Sequence, residues 1–142
     1  MPIIGQSEGR RLCDFIQIVD PSFSDDNYIQ AFDRYCLWQG KELPRGPGSA
    51  NLLRREGRRI ERMCLREQRL VICLGAKVWS MVLDRTPPEW FSMQRKRESM
   101  FWLLPHPSPR SPMYGDPHNR WRAGKILLAV ARESLARQAE AA

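Results

Sequence analysis

The chain has 142 residues, 42% of them apolar and 27% charged, the composition of one globular domain long enough to bury a core without staples. Lys and Arg total 23 against 16 Asp and Glu, a net charge of +7. That balance points to a polyanionic partner, nucleic acid ahead of membrane headgroups, with a plain basic surface as the alternative.

No run of 18 apolar residues and no signal-peptide pattern occur, so the sequence predicts a soluble, cytoplasmic protein with no membrane partner. Cys13, Cys36, Cys64 and Cys73 lack C-x-x-C spacing and lie among apolar residues. They read as buried, reduced thiols, so neither a metal site, a disulfide frame nor another cofactor is expected.

In chain order, Pro2 to Gln6 reads as a clipped first strand ending in a turn. Leu12, Phe15, Ile16 and Val19 recur at i, i+3, i+4 and i+7, the period of an amphipathic helix, which Pro21 stops. Ser24 is placed to cap a second short helix with Tyr28, Ile29 and Phe32 on one face. Arg34 to Trp38 is the next strand candidate. Gly40 to Gly48 holds three glycines and two prolines and reads as loop. Ser49 then caps a long helix with Leu52, Leu53, Ile60, Met63 and Cys64 on its buried side. This helix and its exit carry seven arginines in sixteen residues: Arg54, Arg55, Arg58, Arg59, Arg62, Arg66 and Arg69. They form either a phosphate-facing stripe or a solvated face paired in part with Glu56, Glu61 and Glu67.

Leu70 to Leu74, apolar throughout, reads as a central buried strand ended by Gly75. A short helix from Ala76 to Leu83 follows, carrying Val78, Trp79 and Val82. Pro87-Pro88 breaks the chain. Glu89 to Met93 and Ser99 to Leu104 read as two strands joined through the polar run Gln94 to Glu98. A final helix presents Ile126, Leu127, Val130 and Leu135. Alternation of this kind predicts an α/β fold: a three-layer αβα domain spanning residues 1–142, with a short, mostly parallel sheet of four strands.

Between Leu104 and the last helix lie four prolines in eight residues: Pro105, Pro107, Pro109 and Pro112. Proline fixes φ and lacks an N–H, so this stretch can be neither helix nor central strand. It reads as a stiff, partly extended loop, with Asp116-Pro117 as N-cap and first residue of the helix behind it. Both histidines of the chain, His106 and His118, fall in this segment. A polar loop leaving a buried strand is where α/β proteins place their chemistry. His118, beside the helix start, reads as a surface or capping residue.

His106-Pro107-Ser108-Pro109, after a hydrophobic strand, resembles the HPSP loop of the uracil-DNA glycosylase superfamily. Leu70 to Gly75 is similar to that family's central strand and turn, and Gly9-Arg10-Arg11-Leu12 to the helix after its first motif. The resemblance implies the family's α/β fold, a catalytic role for His106 and insertion of the loop into the DNA minor groove. It places Gln6 and Glu8 where the family positions its water, and Cys36 and Trp38 where the family reads the base edge. Two motifs depart from the family pattern. Gly5-Gln6-Ser7-Glu8-Gly9 has no proline and almost no loop, and no Asn stands near Cys36 and Trp38. A thiol or an indole does not reproduce an amide's donor and acceptor, so the base specificity is expected to be altered.

Breaking an N-glycosidic bond expels an anionic base, and a donor such as His106 stabilises that charge as an oxyanion-hole donor does. The base must first leave the stack, which a rigid wedge loop assists. Ser108, Arg110, Tyr114, Arg120 and Arg122 are the expected DNA contacts, with the basic helix as a second candidate surface. Two functions stay open: a base-directed enzyme that excises or modifies a flipped pyrimidine, or a non-catalytic module that holds DNA or a protein partner.

Overall fold

The computed structural model describes residues 4–32, 47–66 and 70–141. They form a mixed α/β protein with five helices and a small three-stranded sheet among the described residues. Two compact units are present: residues 4–32 with 107–141, and residues 47–66 with 70–106.

The first unit is helical, with α1 over Ser7–Val19, α2 over Asp25–Phe32 and α5 over Pro117–Ala141. In α1 the apolar period buries Leu12, Cys13, Phe15 and Ile16, and the helix packs along α5. The two backbones come so close at Gly124 that a Cβ there would overlap the Phe15 carbonyl. Helix α2 is capped as its sequence suggests: the Ser24 hydroxyl accepts from the Asn27 N–H at 3.1 Å, and Asn27 Oδ1 accepts from the Ser24 N–H at 2.9 Å. Arg10 of α1 reaches Asp25 in the first turn of α2 at 2.7 Å. That bond, more than any other contact, holds the Asp25 carboxyl below the usual carboxylate range. The face of α2 that is buried carries Tyr28, Ala31 and Phe32. Ile29 is 42% exposed, against the sequence reading, because it stands a third of a turn away from Tyr28.

The clipped first strand does not form over residues 4–6, which are turn and bend. Gln6 is instead the N-cap of α1, with extended φ and ψ of −94° and 154°. Two or three residues before a glycine give too few ladder bonds for a strand.

The second unit holds α3 over Ser49–Arg66, β1 over Leu70–Leu74, α4 over Ala76–Leu83, β2 over Met93–Lys96 and β3 over Ser99–Leu104. Helix α3 starts at Ser49 itself. Gly48, at φ +80°, is the residue whose carbonyl accepts the first helical bond, from the Leu52 N–H at 3.4 Å. Leu52 is 52% exposed and is not part of the core, whereas Ile60 and Cys64 are buried. Helices α3 and α4 meet at Gly57, where a Cβ would overlap the Met81 carbonyl.

The sheet runs β1-β3-β2, with β1 parallel and β2 antiparallel to β3. Among the described residues the sheet is therefore mixed, with one parallel and one antiparallel pairing. The predicted strand Arg34–Trp38 lies outside the described residues. Among those described, β3 is central, with Phe101, Leu103 and Leu104 buried, while β1 is an edge strand in which only Cys73 is fully buried. An apolar run signals that a strand has apolar neighbours, but not how many strands flank it.

Strand β2 also departs from expectation, since it begins at Met93 and uses the polar run that reads as a connection. Lys96 pairs with Ser99 across a two-residue turn in which Arg97 adopts a φ of 54°. The charge on β2 is accommodated by its two faces: Met93 and Arg95 face solvent, and Lys96 reaches back to Glu61 of α3 at 2.6 Å. The Ser99 hydroxyl donates to the Cys64 carbonyl at 2.8 Å, so both ends of the hairpin turn are tied to α3.

The two glycine contacts predict a sign. In an open helix Gly→Ala gains about 1 kcal/mol of propensity. Here Gly57→Ala and Gly124→Ala must push a backbone away at an overpacking cost of up to about 3 kcal/mol, so each should destabilise, by up to about 2 kcal/mol net of that gain. Urea unfolding measures this, and a variant as stable as the parent would refute the close approach.

Candidate functional site

The site is built from the parallel pair. Because β1 and β3 run the same way in register, with Leu74 opposite Leu104, their carboxyl ends emerge together. The Gly75 N–H donates to the Leu104 carbonyl at 2.8 Å, extending the pairing one residue past the strands. Gly75 has φ 106° and ψ 151°, a conformation that disfavours any side chain, and is the N-cap of α4. Its N–H is used in the sheet and is not directed to an anion. Pro105 is buried and His106 is exposed. A Cβ on Gly75 would stand 4.0 Å from that of His106. The histidine is thus held at the carboxyl ends of two parallel strands, beside the turn that opens α4.

From Pro107 the loop belongs to the helical unit. Pro107 is buried, and its carbonyl accepts from Arg11 Nη1 at 3.1 Å. Ser108 folds the chain locally: its carbonyl accepts from the Ser111 N–H at 2.9 Å, and its hydroxyl accepts from the Arg110 N–H at 3.2 Å. Arg110 is exposed, as is Arg122, and Arg120 is half-buried. Asp116 caps α5 through the His118 N–H at 2.9 Å, as its Asp-Pro signature indicates.

Tyr114 is not a groove residue. A short 3₁₀ turn over Pro112–Gly115 rolls it onto α1, where it is fully buried. Its ring centroid lies 4.7 Å from that of Phe15, and the Arg11 guanidinium stands 6.0 Å from it. Burial raises the phenol's pKa, with Arg11 opposing in part. Proline-rich sequence conceals this, since nothing in its spacing says which side chain turns inward.

Gln6 and Glu8 also differ from the expected arrangement. Both lie at the start of α1 in the helical unit, neither of them at a strand end. The Gln6 side chain makes no capping bond, and Glu8 Oε2 accepts from the Ser7 hydroxyl at 3.1 Å. A carboxylate in the first turn of a helix is accounted for by the macrodipole. Cys36 and Trp38, the expected base-pocket residues, lie outside the described residues.

An exposed aromatic residue sits in the first turns of α5, between a histidine and a lysine. Trp121 is 42% exposed, with His118 stacked on it at 5.9 Å and Lys125 over its ring at 4.3 Å. The spacing i, i+3, i+7 already places these three on one helix face.

Cys13, Cys64 and Cys73 are buried free thiols. Desolvation pushes Cys13 up to about 11 and Cys73 up to about 12. Among the described residues no group of three or more His, Cys, Asp and Glu side chains could hold a metal ion, and no helix is long and apolar enough to cross a membrane. No protein-family model matches the chain, and no curated protein or solved structure matches it either.

With pKa values this high, only about a thousandth of Cys13, and less of Cys73, is thiolate at pH 8. Mass mapping after iodoacetamide should find both unmodified in the native protein and alkylated in urea. Native labelling at the rate of a free thiol would show that these cores open.

Proposed function

We propose that the protein is a DNA-binding, nucleobase-directed protein of the uracil-DNA glycosylase type with altered base specificity. One observation carries the reading: an exposed histidine heads a proline-stiffened loop at the carboxyl ends of two parallel strands. That is where open α/β sheets receive ligands. A flipped pyrimidine presents a carbonyl oxygen on which negative charge builds as the base departs or is modified. His106 is the donor assigned to that oxygen. Pro105 and Pro107 flank it and are both buried, so little conformational freedom remains to be lost when the loop engages DNA. Arg110, Arg120 and Arg122 are the assigned phosphate contacts of the loop and the helix behind it, and these position the duplex without reading sequence.

The placement of Gln6 and Glu8 at a helix start favours a second reading, in which the loop binds DNA without hydrolysis. The family's water-positioning residue follows a first strand, and here Gln6 and Glu8 open a helix instead.

The two readings separate in single-turnover assays on single- and double-stranded oligonucleotides carrying uracil, hydroxymethyluracil or normal bases. If the protein is an enzyme, wild type should produce an abasic site or a base adduct. His106→Ala should then slow the chemical step by about 10²–10³ with little change in DNA affinity, the cost of losing one oxyanion donor. Wild type that leaves every base untouched decides for the binding module. A His106→Ala variant as fast as wild type removes His106 from the mechanism.

A further inference from the structure

The side of α3 that packs inward is set by its contacts with α4 and the hairpin: Gly57 against Met81, Ile60 and Cys64 buried, and Glu61 bonded to Lys96. At about 100° per residue these four positions centre on one line of the helix. Arg55, Arg59, Arg62 and Arg66 all fall on the opposite line, within a band about 60° wide and about 16 Å long. All four are exposed. Arg59, Arg62 and Arg66 also line one open surface groove, together with Met63.

Structural duties account for little of this row. Arg59 pairs with Glu56, and Arg62 Nε donates to the Arg58 carbonyl at 3.3 Å. Among the described residues, Arg55 and Arg66 join no ion pair, and Arg62 and Arg66 face no carboxylate within 4 Å. Arg58, off the row, does have carboxylates, at 3.8 Å from Glu61 and 3.7 Å from Asp84. Like charges at i,i+4, here Arg55 with Arg59 and Arg62 with Arg66, each cost an isolated helix about 0.2–0.5 kcal/mol. A face selected only for solubility would interleave both signs.

We propose that this outward face of α3 is a docking surface for duplex DNA, with Arg55, Arg59, Arg62 and Arg66 contacting backbone phosphates. The inference rests on the DNA-binding reading above and names a surface for it apart from the His106 loop. The guanidinium fork matches phosphate oxygens in pairs. A straight row about 16 Å long suits a stiff duplex, which presents a charge every 1.7 Å or so along its axis. A single strand would call for aromatic platforms beside the charges, and the row is flanked by Leu52 and Met63 instead.

The test is fluorescence anisotropy of the full chain on a labelled duplex of about 20 base pairs between about 50 and 200 mM salt. Four contacts contribute a slope of about −3.6 in log K against log salt. The quadruple variant Arg55→Gln, Arg59→Gln, Arg62→Gln, Arg66→Gln should lose that slope and bind at least about 100-fold more weakly near 0.1 M. The quadruple Arg→Lys variant should keep most of the slope. Circular dichroism and urea midpoints verify the fold. If the quadruple Gln variant does not fold, the pair Arg62→Gln, Arg66→Gln should still lose a slope of about 1.8.

Wild type that fails to bind DNA at low salt overturns the DNA reading and this surface with it. Wild type that binds, with a Gln variant of unchanged slope, overturns the α3 surface alone and leaves the loop. Polyglutamate competing as well as DNA at equal charge also overturns it, in favour of an acidic protein partner.

Discussion

The pairing of β1 with β3 is the constraint on which the sheet unit depends. It fixes three things at once. It buries Phe101, Leu103 and Leu104 in the middle of the sheet, and it brings two strand ends out side by side. Through the bond from Gly75 to Leu104 it also sets where the chain can turn. Gly75 satisfies this because it accepts a φ of 106°, so one residue ends β1, caps α4 and leaves space beside His106. A larger residue there would strain the turn through its φ.

Helix α4, which makes the connection from β1, is in turn clasped by α3 at a glycine. That contact decides the chemistry of α3's outer face. With Gly57, Ile60, Glu61 and Cys64 committed inward, helical geometry sends Arg55, Arg59, Arg62 and Arg66 outward as a row. The buried Glu61 does not neutralise the row, because its carboxylate is engaged by Lys96 from β2.

The loop after β3 divides its residues between two tasks. Pro105, Pro107 and Tyr114 are buried, while His106, Pro109 and Arg110 stay exposed. Four prolines within eight residues stiffen this segment. Stiffness of this kind lowers the ordering cost of any contact the loop makes. The exposed Trp121, flanked by His118 and Lys125, adds an amphipathic surface to the first turns of α5.

Elements with local signals were legible before any neighbour was placed. The period of Leu12, Phe15 and Ile16 defines α1, Ser24 and Asp116 cap the helices that follow them, and Gly75 stops β1. Four prolines exclude regular structure after Leu104. Each of these is decided by φ preferences, hydrogen bonds within a few residues, or side-chain period. Tertiary structure alone decided matters that depend on a distant neighbour. Leu70–Leu74 became an edge strand among the described residues, and Met93–Lys96 became a strand despite its charge, because β3 supplied the partner for both. Tyr114 turned into the core because Phe15 was there to receive it. Gln6 and Glu8 were drawn into a helix start, since a strand needs a ladder and a helix needs only its own next turn. The same limit applies to the arginines. Their number was plain in the sequence, but which of them share an outward line depended on where α4 packs.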